Sequence, residues 1–302
     1  MNDFIQPISE EFNSIFFVKG QNRGRYPYSH SLLINDCLFD TGISSGFMRK
    51  LKRTHAINNI LLSHWHEDHI SGNRLLPNAQ FYAHNNDKPV IEDINLMNGY
   101  YLVEDNMEQI ELYTTILEGL RLQNTRIDNL IEDDMQINMG NGLKTKVIHT
   151  PGHTEGHCSF LEINSRVAFL ADIDLSSFGP WYAGKDSSVI EFEDSIDKLM
   201  RFDIDIAVTS HKGIITGKSK IRESLKNFKR IIYDRDERIL ENLSEKTPKT
   251  AKDLRNLNII YTYYTEYKTY ELFAEEIMIN YHFEKFFKQD LIQPKDMGYI
   301  LS

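Results

Sequence analysis

Short apolar runs separated by turn residues fill the first sixty positions. SIFFVKG (14–20), SHSLLIND (29–36) and CLFDTG (37–42) are each bounded by Gly, Asn, Asp or Lys, the pattern of strands in succession. Residues 43–56 (ISSGFMRKLKRTHA) carry Phe47 and Leu51 at helical spacing. The apolar run 57–62 (INNILL) follows, so a helix lies between two strands. Further strands are predicted at GLKTKVIHT (142–150), VAFLADI (167–173) and DIAVTS (205–210). The elements alternate as in an α/β (or α+β) protein.

Two stretches depart from this rhythm. Residues 85–135 form a long, mostly acidic insertion of helical pattern, with Tyr100, Tyr101, Met107, Ile110, Tyr113, Ile116, Leu117 and Leu120. It reads as a helical cover or an oligomer contact, with Tyr100 and Tyr101 placed to line a cleft. From residue 231 the chain turns helical. DERILENLSE (236–245) is amphipathic, Thr250 is an N-cap for a second helix, and Phe273, Ile277 and Tyr281 form a stripe along a third helix over 271–288. LIQ, the turn PKDMG and YIL then read as a hairpin. The predicted domains are therefore 1–230 and 231–302.

Composition narrows the function classes. The chain has 302 residues, 41% of them hydrophobic, enough for one large and one small core. Its net charge of −10 argues against a broad nucleic-acid surface. The N-terminus lacks a basic leader, and no apolar stretch approaches the roughly 20 residues of a membrane span. A soluble, cytoplasmic protein without a membrane partner is expected. Cys37 and Cys158 sit in apolar stretches and read as buried thiols.

Chemistry concentrates where predicted strands end. His64, His66, Asp68 and His69 lie in SHWHEDH, His153 in TPGHTEGH, Asp172 in FLADID and His211 in TSHKG. Imidazole nitrogen and carboxylate oxygen suit Zn²⁺, and also Fe or Mn. His64 and His66 stand at i and i+2 on extended backbone, so both reach one ion; Asp68 and His69 leave the strand in a different direction and suit a second. His157, four residues after His153, is placed to orient a ligand. Phe178, Trp181 and Tyr182, in a Gly-Pro-aromatic loop just after Asp172, either contact substrate or close over the core edge. His30, His55, His84, His149 and His282 read as structural or exposed.

The HxHxDH run, the strand-ending DTG (40–42), TPGHTEGH and FLADI together resemble the metallo-β-lactamase superfamily over roughly residues 12–216, although Ala171 replaces the usual Gly before the aspartate. The resemblance implies an αβ/βα four-layer sandwich. It implies one metal site of His64, His66 and His153, another of Asp68, His69 and His211, and Asp172 bridging the two. The cofactors implied are two divalent ions, zinc with iron or manganese also compatible. The tail resembles the winged-helix appendage of some such hydrolases, although its third helix is acidic.

The activity implied is hydrolysis of an ester or thioester of a small organic substrate by a hydroxide shared between the ions, with Asp68 and Asp172 as catalytic carboxylates. A phosphodiesterase or endoribonuclease, for which nucleic acid would be the partner, is the alternative. An iron-dependent persulfide dioxygenase and a non-catalytic metal-stabilised binding protein remain as further readings, and a second subunit of a homodimer is the other partner that the tail suits.

Overall fold

The computed structural model describes residues 4–8, 11–103, 107–265 and 267–302. The first sheet runs β1 (Ile5–Pro7), β2 (Ile15–Val18), β3 (Ser31–Ile34), β4 (Cys37–Phe39), β5 (Asn59–Leu61), β6 (Gln80–His84) and β7 (Asn129–Ile131), in that spatial order. The second comprises β8 (Gln136–Gly140), β9 (Leu143–His149), β10 (Cys158–Glu162), β11 (Val167–Ala171), β12 (Ile206–Thr209) and β13 (Gly213–Thr216), again neighbours in sequence order. The helices are α1 (Ser45–Leu51), α2 (Glu67–Ile70), α3 (Lys88–Glu92), α4 (Met97–Tyr100), α5 (Met107–Leu120), α6 (Val189–Leu199), α7 (Lys218–Glu241), α8 (Ala251–Leu254) and α9 (Lys268–Lys288). A hairpin, β14 (Ile292–Lys295) with β15 (Gly298–Leu301), follows α9.

Alternation along the strands builds the layers. Leu32, Phe39 and Leu61 point inward and share a core with Val147, Phe160, Phe169 and Val208 of the other sheet. Their neighbours Leu33, Leu38 and Ile60 face outward and pack with Met48, Leu51, Val90, Ile91, Met97 and Tyr113 from α1, α3, α4 and α5. On the far side Ile148, Ala168 and Leu170 meet Phe192, Leu225 and Ile279 from α6, α7 and α9. Each large side chain buried in these three cores contributes roughly 1.5–3 kcal/mol. A period-two pattern on two sheets thus gives helix, sheet, sheet, helix, the four-layer sandwich.

Strand direction decides where the chemistry falls. β4 and β5 pair in parallel, as do β11 and β12, so within each pair the carboxyl ends emerge at the same edge. Asp40, His64, Asp172 and His211 all lie just beyond those ends.

Two expectations about the later chain shift, and one between them holds. α7 is continuous from 218 to 241, so a boundary after residue 230 falls inside a helix, and DERILENLSE is largely its last turns. The Thr250 cap is present as a reciprocal pair with Asp253. In α9 the buried face is not Phe273, Ile277 and Tyr281, each only half-buried, but a stripe through Ala274, Met278, His282, Phe283 and Phe286. The rotation follows from polar groups that the apolar pattern ignores. Tyr182 Oη meets His282 Nε2 at 2.7 Å, and His282 Nδ1 meets Asp236 at 2.6 Å. Arg235 donates to the carbonyls of Pro180 and Phe178, and Lys285 pairs with Asp236 and Glu193. The tail is locked onto the sandwich through satisfied buried charges.

Candidate metal centre

Seven side chains from four chain segments converge at the shared edge of the two sheets. His64 Nε2, His66 Nδ1 and His153 Nε2 lie 2.8–3.1 Å from one another, and Asp172 Oδ2 is 3.1 Å from His153 Nε2. Beside them Asp68, His69 and His211 form a second group. Asp172 Oδ1 is 3.1 Å from His69 Nε2 and 3.5 Å from His211 Nε2, so its carboxylate touches both clusters with different oxygens.

The surroundings aim each ring. Asp40, wholly buried, accepts from His69 Nδ1 at 2.7 Å and from the Ser63 amide and hydroxyl at 2.7 and 2.6 Å. Ser63 Oγ also lies 2.9 Å from His64 Nδ1. His153 Nδ1 donates to the Trp181 carbonyl and His211 Nδ1 to the Gly24 carbonyl. With these ring nitrogens occupied, the Nε2 lone pairs of His64, His69, His153 and His211 face the cluster. The Asp172 amide donates to His157 Nε2 at 3.3 Å, which places His157 behind the aspartate. Asp87 ties two loops together, accepting from the Trp65 amide, the Gly156 amide and Thr154 Oγ1. Within the DTG turn a Cβ on Gly42 would stand 1.4 Å from the Asp68 carbonyl oxygen, so only glycine lets the two segments meet. Ala171 adopts φ 48° at a β-bulge, a left-handed conformation that favours glycine and that aims Asp172 inward.

Electrostatics divide the cluster. Burial, reinforced by neighbouring imidazoles, holds His64 and His66 well below the usual histidine range. Burial also disfavours charge on His211, yet Asp172 and Asp68 outweigh it and push that ring up to about 10. His69 is raised for the same reason by Asp172, Asp68 and Asp40. A site this deep that draws positive charge suits cations. The donor atoms also fit metal: His69 Nε2 and Asp172 Oδ1 are buried and close, yet neither is aligned in a hydrogen bond. They converge on common space instead of on each other, as ligands around an ion do.

The cluster forms the floor of a cavity of about 580 Å³. Trp181 and Tyr101 stand in its wall, and Tyr101 stacks on His66 with ring centroids 5.5 Å apart. The other aromatic residues singled out from sequence lie elsewhere. Tyr182 is fully buried against His282 and Arg235, Phe178 packs on Tyr261, and Tyr100 packs edge-on to Trp65. The wall is built mainly from tyrosines the motifs did not flag: Tyr26 and Tyr28 before β3, Tyr113 on α5, Tyr261 and Tyr267 in the segment leading into α9, and Tyr270 in its first turn. Their signal was density, since YTYYTEYKTY (261–270) holds a tyrosine at half its positions. Glu67, between two ligands, accepts from the hydroxyls of Tyr26 and Tyr101. Both cysteines are free and buried, and burial pushes each thiol up, away from reactivity.

A compact His and Asp cluster at the paired edge of an αβ/βα sandwich defines a class of metal-site proteins. The metallo-beta-lactamase superfamily profile matches residues 36–211, and the chain belongs to that superfamily. A hydroxyacylglutathione hydrolase of Francisella tularensis subsp. novicida (strain U112) is 25% identical over 185 residues, 60% of this chain and 58% of that one, so the chain spans somewhat over half the length of this relative. Among solved structures, a metallo-beta-lactamase family protein of Thermus thermophilus aligns with TM-score 0.68 at 18% identity, over 99% of this chain and 97% of the other. A beta-lactamase domain protein of Burkholderia ambifaria gives 0.73 at 13%, over 99% and 95%. A protein crystallised in a di-iron-bound form gives 0.50 at 20%, over 62% and 89%. These alignments show the shared fold, and the first two extend it through the C-terminal helices.

Proposed function

We propose that this protein is a metal-dependent hydrolase that opens an ester or thioester of a small, largely apolar organic substrate. The observation that carries the reading is the pair of ligand clusters joined through Asp172 at the floor of the tyrosine-walled cavity. His64, His66, His153 and Asp172 would hold one divalent ion, and Asp68, His69, His211 and Asp172 the other. Imidazole-rich donor sets favour zinc, and iron or manganese is compatible, as in the neighbour crystallised with two irons. Such ions supply Lewis acidity, polarising a carbonyl and acidifying water.

The chain's own groups do the rest. Asp40, Ser63 and the Trp181 and Gly24 carbonyls hold the rings in one tautomer. Asp68 lines the cavity beside His66 and would carry a proton to the leaving group. The tyrosine walls exclude water and position an apolar group over the cluster. Hydroxyacylglutathione hydrolase activity in a relative supports thioester chemistry. No Lys or Arg stands among the described residues lining the cavity, whereas Glu67 and Glu271 do, which argues against a phosphodiester or RNA at this floor. No helix among the described residues is long and apolar enough to cross a membrane.

The test combines metal analysis with a panel of esters, thioesters and a bis-aryl phosphodiester. Expected are two ions per chain, turnover of the first two substrate classes, and loss of turnover by at least about 10³-fold in Asp172→Ala and His66→Ala with the fold retained. Asp172→Ala should weaken both ion sites together. Unchanged rates in either variant would end the assignment.

A further inference from the structure

A second cavity, of about 350 Å³, adjoins the first and shares Tyr28, Gly119 and Leu120 with it. Its character is opposite. Arg49 of α1, Arg74 and Arg121 reach into it, with Gln21, Ser44 and Ser45 beside them, and no acidic residue among those described lines it. Among the described residues none of the three guanidinium groups has a carboxylate within ion-pairing distance. Arg74 donates from Nη2 to Ser45 Oγ at 2.7 Å, while its Nε is buried without a hydrogen-bond partner. Burial first, and then Arg121 and Arg49, depress its ionisation, so the three charges repel one another uncompensated. In a protein of net charge −10, three unneutralised arginines in one concave site are out of keeping with the rest of the surface. Planar guanidinium forks match carboxylate and phosphate oxygens, and serine hydroxyls add neutral donors.

We propose that this arginine cleft is an anion subsite of the catalytic cavity, so that the preferred substrate joins an apolar segment over the metal cluster to a distal carboxylate or phosphate held by Arg49, Arg74 and Arg121. The inference rests on the hydrolase reading and assigns it a substrate class: amphipathic esters or thioesters whose charged end lies away from the scissile bond. Tyr28, Gly119 and Leu120 are the shared wall past which the connecting chain runs. The division of labour follows from electrostatics. An anion is unwelcome beside Glu67 and Glu271, and is drawn instead to the neighbouring cleft where Arg49, Arg74 and Arg121 lack carboxylate partners among the described residues.

The experiment compares aryl esters of straight-chain acids that end in methyl, carboxylate or phosphate, over a series of chain lengths, with the metal-loaded full chain. At one length the anion-ended ester should show a KM at least about tenfold below that of its methyl-ended counterpart, and added salt should erode the difference. The Arg49→Ala/Arg121→Ala double variant should bring that ratio to about one, and Arg49→Lys/Arg121→Lys should restore part of it, with thermal melts confirming the fold. The carboxylate and phosphate arms distinguish the two kinds of anion. Equal KM values at every length, or a ratio indifferent to the alanine variant, would overturn the subsite. Should no ester of any series turn over, the hydrolase reading fails separately. Calorimetric titration of the free diacid and ω-phosphoryl acid against the monoacid then decides the subsite, and equal affinities would overturn it.

Discussion

Asp40 lies outside both ligand clusters, yet the geometry makes Asp40→Asn a sharp test of how the rings are aimed. Its Oδ1 accepts the Ser63 amide, and Oδ2 accepts both Ser63 Oγ and His69 Nδ1. An asparagine can keep its oxygen on the Ser63 amide, but its NH2 then replaces Oδ2 and confronts two donors. Ser63 Oγ can rotate away. His69 relieves the clash only by moving its proton to Nε2, the nitrogen that faces Asp172 and Asp68. Loss of such an outer partner weakens a metal site about 10–100-fold, or about 1.4–2.7 kcal/mol. The effect should fall mainly on the Asp68, His69 and His211 group and less on the other, which Asp40 reaches only through Ser63 and His64 Nδ1. Chelator competition with metal analysis would show one ion lost well before its neighbour, while the melting temperature changes little. Asp40→Ala, which leaves all three donors buried and unpaired, should instead destabilise the fold by several kcal/mol, at about 1–3 kcal/mol per group. Wild-type affinity for both ions in Asp40→Asn would refute the tautomer argument.

Other expectations are simpler to check. Tyr182→Phe removes the hydroxyl shared by His282 and Arg235 and should cost about 1–2 kcal/mol in chemical denaturation, without changing KM for a neutral ester; a raised KM would place Tyr182 at the substrate after all. His30 accepts the Gly20 amide at Nδ1 and is lowered to about 4 by burial, then by His211 and Lys19. Because its folded value lies below the unfolded 6.5, its neutral form stabilises the protein above pH 6.5, and that contribution declines as pH falls through 6.5 toward 4. Side-chain NMR should show His30 still neutral at about pH 5, and titration near 6.5 would contradict the burial argument.

Local motifs made the candidate metal centre legible because each proposed ligand follows a strand, and strand ends are where an apolar run meets turn residues. His64, His66, Asp68 and His69 sit within six positions, and the downstream ligands carry recognisable flanks. The four layers entered through the family resemblance that those motifs carry, and in the structure period-two alternation at Leu32/Leu33, Leu38/Phe39 and Ile60/Leu61 divides the inner core from the outer one. The cavity wall was not. Tyr26, Tyr113, Tyr261 and Tyr270 come from a loop, an inserted helix and the tail, and only tertiary packing brings them to one rim. The aromatic loop after Asp172 divides its side chains, because nearness to a ligand in sequence is not nearness to the cleft. Trp181 turns toward His66 and His153, while the next side chain, Tyr182, faces the opposite way into the tail. The buried face of α9 departs from the apolar stripe because Glu275 and His282, polar by type, are sequestered by partners no periodicity reveals.

The unbroken span of α7 carries a consequence for how this protein can diversify. One continuous helix leads from the second sheet to the segment that supplies Tyr261, Tyr270 and Glu271, so it joins the cavity floor to part of the wall though the two are far apart in sequence. On the hydrolase reading, substitutions in the tail beyond that helix would alter the cavity wall at Tyr261, Tyr270 and Glu271 while the His and Asp clusters stay untouched. Cutting the polypeptide within α7 would instead strip the cavity of the part of its wall that the tail supplies.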